Sequence, residues 1–366
     1  MNMIPVAKPC LGQEELKAIG EVFDSNWLGL GAKTKEFEDA IGKYIGCKHV
    51  IAVNTGTNAI HLALDALGIK TGDEVIVPSL TFAATIQAIL QTGALPVFCD
   101  IRSDNLNIDV QKAKTLITER TKALLVVHYC GEPCDMDELL ALNIPVVEDA
   151  AHAFGSTYKG KKIGSFGHLT CFSFDPIKTI TSIEGGAITT NDEKLFELMT
   201  RKRILGIDKD TWSRYQNKRA WDYDVTTHGF RYHMPNVNAA VGLIQLAKIE
   251  GFIKNRRATV KEYDLNFIKN KNIELLKKDQ VNSAFFCYII KVKNDNRSAL
   301  MEHLKKNNVG SGIHYIPNHH HSHFKDFPSG DLSTTEKVEH EILTLPLYNM
   351  MTAEEVAKVI EAINSF

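Results

Sequence analysis

Residues 173–190 read SFDPIKTITSIEGGAITT, an apolar, β-prone stretch that carries a lone lysine, Lys178, between a proline and two glycines. A lysine is ordinarily a solvated surface residue. Here Pro176 ends the strand that CFSF would form, and two glycines, Gly185 and Gly186, follow a few residues on. Those boundaries deliver Lys178 to the end of a buried strand. A partly desolvated amine there has a lowered pKa and is suited to forming a Schiff base with an aldehyde.

Outward from this stretch, from about Lys48 to Asp192, short β-branched runs closed by Gly, Pro, Asn or Asp alternate with helical patterns. HVIAVNTG, DEVIVPS, LPVFCDI, TKALLVVHYCG, IPVVEDAA, LTCFSFDP and GAITTND read as strands, while TNAIHLALDALG and FAATIQAILQTG have apolar residues at helical spacing. The alternation predicts an α/β fold with a mostly parallel sheet flanked by helices, and ligands of such sheets sit at the carboxyl ends of the strands. After Asp192 the pattern turns helical, and NVNAAVGLIQLAKIEGFIKNRRATVKEYDLNFIKN is long enough to bridge two domains. From about Asn272 a smaller α/β unit follows, with FFCYIIKV as strand and SALMEHLKKNN and TAEEVAKVIEAINSF as helices. The expected division is a large domain over 1–250 and a small C-terminal domain over 251–366.

Composition narrows the function. The 366 residues carry 42 Lys and Arg against 44 Asp and Glu, so no bulk attraction to nucleic acid or anionic membrane is implied. The one basic and aromatic run, TRKRILGIDKDTWSRYQNKR ending at Arg219, also holds Asp208 and Asp210, and a solvated face explains it. Seven cysteines without paired short spacing, apart from Cys130 and Cys134 in CGEPC, suggest a reducing compartment and two buried thiols there rather than a zinc site. The first residues, MNMIPVAKPCLGQEEL, lack a signal-peptide pattern, and no run of about 18 apolar residues occurs. A soluble cytoplasmic protein is expected.

Three signals converge on the strand ends. In VNTGTNAIHLAL a strand runs straight into a helix, and Thr55, Gly56, Thr57 and Asn58 offer free N–H groups and a hydroxyl at a helix amino terminus, a ready anion site. GLGAKT (Gly29 to Thr34) matches neither the Rossmann nor the Walker spacing. In IPVVEDAAHAFG an apolar strand ends in Glu148 and Asp149, followed by His152. A carboxylate buried there needs a partner, and a ligand's protonated ring nitrogen, as in pyridoxal phosphate, is one. An exposed loop carboxylate is the alternative. Phosphate at Gly56 to Asn58, ring nitrogen at Asp149 and aldehyde carbon at Lys178 fit one ligand.

The order of GTNAIHLAL, SLTFAAT, EDAAHAFGSTYKGKKIGSFG, CFSFDPIKTITSIEGGAITTND, GFRYHMPNVNAAVGLIQL and GIHYIPNHHH resembles the nucleotide-sugar aminotransferases of the DegT/DnrJ/EryC1/StrS family over nearly the whole chain. The resemblance implies a fold-type I, aspartate-aminotransferase-like homodimer with active sites shared across its interface. It also implies pyridoxal 5′-phosphate as cofactor, L-glutamate as amino donor and a nucleotide-linked keto-sugar as acceptor, in a ping-pong cycle. Lys178 matches the lysine that carries the cofactor, Asp149 the partner of its pyridine nitrogen and His152 a residue near its phenolic oxygen. Phe82 matches the aromatic that stacks on its ring, and Gly56, Thr57, Asn58 and Ser173 match the phosphate cradle. Where many members read GYNYRM this chain reads GFRYHM. Arg231 therefore replaces an asparagine that reaches the neighbouring subunit's cofactor, and it suits phosphate, a substrate carboxylate or a diphosphate.

The histidines of GIHYIPNHHHSH, His314 and His319 to His323, invite a metal reading, but no carboxylate or thiol set of defined geometry accompanies them. By position the segment borders the family's sugar-nucleotide site, so His314, Tyr315, His319 and His320 are candidate substrate contacts and no metal is expected. A dehydratase of the same family would carry histidine in place of Lys178. A non-catalytic pyridoxal-fold regulator would show a damaged Lys178 or Asp149, and a nicotinamide enzyme would show a Rossmann fingerprint. The sugar is open between 3-keto and 4-keto 6-deoxyhexoses, with a lean to C4 from the HYIP form, on dTDP, UDP or GDP. Surface polysaccharide or glycan, O-antigen included, is the expected destination.

Overall fold

The computed structural model describes residues 3–208 and 223–366. The second half of the basic and aromatic run, from residue 209, lies outside the described residues. All seven runs expected as strands between Lys48 and Asp192 lie in one sheet. They are β1 (His49–Val53), β2 (Glu74–Pro78), β3 (Leu95–Cys99), β4 (Thr121–Val127), β5 (Val146–Asp149), β8 (Leu169–Ser173) and β9 (Gly186–Thr190). A small hairpin, β6 (Thr157–Tyr158) and β7 (Lys161–Lys162), lies between β5 and β8. The strand order is β1-β9-β8-β5-β4-β2-β3. The five strands from β8 to β3 are mutually parallel, whereas β9 runs antiparallel to both its neighbours.

Alternation along each strand builds two cores. Ile51 and Val53 face the same layer as Val75, Val77, Leu125 and Val147, beneath the helices Gly56–Ala66 and Ala83–Gln91. Val50 and Ala52 face the other side, with Phe172, Phe37, Leu246 and Ile249, and Ile76, Val97, Leu124 and Val126 continue that side against Met136 and Leu139. Period-two placement of this kind requires both faces to be covered, as the near-continuous apolar strands imply.

The helix Asn236–Phe267 joins these cores to the small unit. Its first half packs through Ala239, Leu246, Ile249 and Ile253, and its second half sends Val260, Tyr263 and Phe267 into the core of a three-stranded antiparallel sheet. That sheet is β10 (Ile273–Leu275), β11 (Tyr288–Val292) and β12 (Ile342–Leu345), in that order. Gly242 lets the long helix come close to the helix Ala32–Ile45, because a Cβ there would meet the Phe37 ring at 2.6 Å. Arg256 is 1% exposed where the helix passes from one core to the other. It donates to Asn349 Oδ1 (2.6 Å) and to the carbonyls of Phe285 (3.1 Å), Phe286 (2.8 Å) and Leu347 (3.3 Å). Burial without a carboxylate partner lowers its pKa to about 10.

Cys134 is a buried thiol as expected, but Cys130 is not: it is bonded to Cys287, with Cα atoms 5.2 Å apart. Spacing along the chain hid this pair because its members are 157 residues apart and meet only where the small sheet packs on the end of β4. Among the described residues no helix is long and apolar enough to cross a membrane.

Asp100, at the end of β3, ties the late chain to the sheet. It accepts from Lys112 Nζ (2.5 Å), from the Thr334 and Thr335 amides (3.0 and 2.8 Å) and from Thr335 Oγ1 (2.6 Å). Burial opposes ionisation, but the Lys112 ammonium and these donors outweigh it and hold the carboxyl at about 2. A depressed acid stabilises the fold above its unfolded pKa, near 4, and loses that contribution as pH falls through about 2. Asp100→Asn is expected to cost about 2 kcal/mol at neutral pH. Urea unfolding should show the difference from the parent shrinking below pH 4.

Candidate active site

The carboxyl ends of β1, β2, β4, β5 and β8 and one segment of the small unit enclose a cavity of about 330 Å³. After β1, Thr55 caps the helix Gly56–Ala66, its Oγ1 accepting from the Asn58 amide at 3.1 Å. Gly56 and Thr57 at this amino terminus line the cavity, and helix geometry leaves their amides without intrahelical acceptors. Beyond β2 come Thr81, Phe82 and Thr85; beyond β5, Asp149, Ala151 and His152; beyond β8, Ser173, Asp175, Ile177 and Lys178. His314 and Tyr315 arrive from the small unit.

The two acids that end β5 face opposite ways, as strand alternation demands. Glu148 points away from the cavity and is satisfied by His128 Nε2 (2.9 Å), Thr170 Oγ1 (2.6 Å) and the Gly167 amide (3.0 Å). The Cys134 amide donates to His128 Nδ1 (3.0 Å), so the ring's proton is on Nε2 and is donated to Glu148. Asp149 points into the cavity and is 5% exposed, which excludes the exposed-loop reading. Oδ2 accepts from Thr85 Oγ1 (2.8 Å) and Oδ1 from the Ala151 amide (3.1 Å). Burial raises its pKa despite these donors and the nearby Lys178 charge.

Lys178 is carried on the excursion between β8 and β9, whose ends pair Ser173 with Gly186. Its amide donates to the Asp175 carbonyl at 3.1 Å. Burial lowers the pKa of its amine, with Asp149 and Asp175 pulling the other way. No carboxylate lies within ion-pairing distance among the described residues, and Nζ lies 4.5 Å from the centre of the Phe286 ring. His152 Nε2 is paired with Tyr315 Oη (3.0 Å), and its buried Nδ1 has no partner among the described residues. Burial holds His152 neutral, and it lowers His314 to about 4. Phe82 is 58% exposed at the cavity rim, so its ring is not spent on the core.

The cavity thus gathers Gly56, Thr57, Phe82, Asp149, His152, Ser173, Lys178, His314 and Tyr315. Asn58 stands outside it, with its amide on Thr55 and its side chain donating to Asn54 Oδ1 (2.8 Å). Arg231 lines a separate cleft with Trp27, Leu28 and His233. His319 is held by Ser79 Oγ (2.7 Å) and His320 by Glu339 Oε2 (2.8 Å), both away from the cavity lining. Among the described residues no group of three His, Cys, Asp or Glu is arranged to hold a metal ion. Sequence reasoning missed Thr85, although it follows Phe82 in TFAAT, and it missed Phe286, whose strand gave no hint that it faces Lys178.

The sequence profile of the DegT/DnrJ/EryC1/StrS aminotransferase family matches residues 9–364. This chain belongs to that family. Its members use pyridoxal 5′-phosphate, so the fold type, enzyme class and cofactor implied by the motifs hold for this aminotransferase. Among curated relatives, it is 40% identical to the uncharacterized protein MJ1066 of Methanocaldococcus jannaschii, over 99% of this chain and 97% of that one. It is 37% identical to the spore coat polysaccharide biosynthesis protein SpsC of Bacillus subtilis, over 99% and 96%. Among solved structures, the putative sugar aminotransferase Spr1654 of Streptococcus pneumoniae in its PMP form superposes with a TM-score of 0.93 at 29% identity, over 99% and 98% of the two chains.

The residues of the cavity fit the cofactor. Gly56 admits no side chain, because a Cβ would meet Ser173 Cβ at 2.7 Å, so the helix amino terminus stays open to a phosphate. Among the described residues the amine of Lys178 has no ion-pair partner, and the carboxylate of Asp149 is buried with two donors and no cation in contact.

Proposed function

We propose that this aminotransferase moves the amino group of L-glutamate onto a keto-sugar carried on a nucleotide, at C4 or C3 of a 6-deoxyhexose with C4 preferred, for a surface polysaccharide or glycan. One observation carries the reading: the Lys178 amine and the Asp149 carboxylate open into the same cavity, each desolvated and neither in an ion pair. The names of SpsC and Spr1654 support the sugar and polysaccharide part.

Bound pyridoxal phosphate supplies an electron sink for negative charge at the carbon that bears the amine. The amides of Gly56 and Thr57, with the Ser173 hydroxyl, hold the phosphate. Asp149 keeps a proton on the ring nitrogen, because a buried carboxylate is stabilised by a cationic N–H beside it. Lys178 Nζ would hold the cofactor through its aldehyde carbon and, as the amine of the cavity, would be the group that takes up and returns the proton of the substrate α-carbon. His152, held neutral, contributes Nδ1 as a polar contact that burial has left open. Phe82 offers a ring face, and His314 and Tyr315 border the space left for the sugar.

We further propose a cytoplasmic homodimer in which Arg231, remote from its own chain's cavity, serves the partner's site, and a division into domains near residue 250. Holoprotein given L-glutamate and a panel of dTDP-, UDP- and GDP-linked keto-sugars should yield 2-oxoglutarate and one amino sugar; no product with any member refutes the sugar reading. Arg231→Ala and Lys178→Ala chains, each inactive alone, should regain turnover when mixed as heterodimers. Failure to regain it would sink the shared site. Gly56→Ala should weaken cofactor binding roughly tenfold, by about 1.4 kcal/mol, in equilibrium dialysis.

A further inference from the structure

Phe286 reaches the candidate active site from the segment just before β11. Its ring stacks on His152, with centroids 4.2 Å apart and planes 9° from parallel, and Lys178 Nζ lies 4.5 Å from its centre. Neither the motifs nor the reading above gives this ring a role. Its main chain is held three ways. The Phe286 amide donates to the Cys130 carbonyl (2.9 Å), the Phe286 carbonyl accepts from the buried Arg256 guanidinium (2.8 Å), and the next residue, Cys287, is bonded to Cys130. Cys130 lies three residues beyond Val127, the end of β4, so one covalent link ties the large sheet to the residue beside the ring.

The link lies just under the surface, with Cys130 8% and Cys287 7% exposed, so exchange requires the segment before β11 to open locally. A small cleft is lined by both cysteines together with Glu132, Lys277 and Lys278. Lys278 is engaged by Asp264 at 2.8 Å. With Lys278 engaged and Glu132 in the same lining, Lys277 adds the positive charge beside the cysteines that favours thiolate over thiol.

We propose that Phe286 is a positioning residue for His152 and Lys178, and that thiol–disulfide exchange at Cys130–Cys287 sets how firmly it is held. The proposal rests on the pyridoxal-phosphate reading of the cavity. In the exchange a small thiolate attacks one sulfur of the link, forms a mixed disulfide and releases the other cysteine as a thiolate, which takes up a proton. A second small thiolate then attacks the sulfur of the first, which breaks the mixed disulfide and releases the remaining cysteine as a thiolate that also takes up a proton. The protein gains two thiols, and the two electrons come from the small thiol, which leaves as its own disulfide. Reduction removes one of the three restraints and leaves the hydrogen bonds from Phe286 and Arg256.

The test uses holoenzyme purified without reductant and then treated with reduced glutathione. Alkylation with mass spectrometry reports Cys130 and Cys287, the visible circular dichroism of the bound cofactor reports its surroundings, and kcat and KM are measured separately. Reduction is expected to free both thiols, to change the visible ellipticity, and to lower kcat roughly two- to tenfold, the range that one aromatic stacking contact carries. Cys287→Ser should reproduce the reduced state and no longer respond to glutathione. Phe286→Leu should show the same loss, and Phe286→Tyr should restore it. Identical ellipticity and kcat in the oxidised and reduced wild type overturn the proposal, as do cysteines that are free on purification and resist oxidation by diamide. A wild type that takes up no pyridoxal phosphate, and so has no visible band, fails on the underlying reading and removes the proposal with it.

Discussion

Lys178→Ala is expected to reduce steady-state transamination by roughly 10³-fold or more, because one side chain both carries the cofactor and moves the proton. The loss should fall on kcat. The cofactor should still bind, since the phosphate contacts at Gly56 and Thr57 and the Asp149 carboxylate are untouched. The structural ground is the amine's isolation: burial lowers its pKa, and no carboxylate neutralises it at contact distance among the described residues. A lysine kept for stability would be paired or exposed. Release of 2-oxoglutarate from glutamate by the variant at more than a few per cent of the parent rate would refute the role.

Asp149→Asn should separate function from stability. The substituted amide keeps the size and still accepts from Thr85 or Ala151, but it cannot hold a proton on a ring nitrogen, and turnover should fall roughly 10²- to 10⁴-fold. The protein without cofactor should become more stable by about 1–2 kcal/mol, because an uncompensated buried charge is removed. The sign follows from the pKa. Burial raises it in the folded state, so the ionised carboxyl destabilises the cofactor-free protein above that raised value, and the penalty disappears on acidification below the unfolded value. Thermal unfolding of cofactor-free parent and variant should show a gap at neutral pH that closes in acid. A variant less stable than the parent at neutral pH would mean that Asp149 is satisfied without a ligand.

Much of this was legible in the sequence because it is local. The seven strands of the large sheet are each a β-branched run closed by a turn residue, and Pro176 with Gly185 and Gly186 bounds the Lys178 excursion. What resisted reading depends on pairing at long range. β10 and β12 flank β11, β12 from much later in the chain, and both lack a run long enough to stand out. Glu148 and Asp149 look alike in IPVVEDAA, and only the pleat, with His128 waiting on the far face, assigns one to structure and the other to the cavity. His314, His319 and His320 share one composition, yet Thr344, Ser79 and Glu339 respectively fix their rings, and only the first borders the cavity. The Cys130–Cys287 bond and the Phe286 stack arise from the same docking of the small sheet and carry no local signature.

The reversal of β9 has a consequence for how the amine is tethered. Ser173 and Gly186 are opposite rungs of one ladder, so the chain that bears Lys178 leaves and re-enters the sheet at neighbouring points. Such a short closed excursion forfeits only about 2 kcal/mol of chain freedom by the logarithmic law for loops. A hook pinned at both feet swings through a narrow arc, which keeps a flexible four-carbon arm within reach of its target without freezing the arm itself.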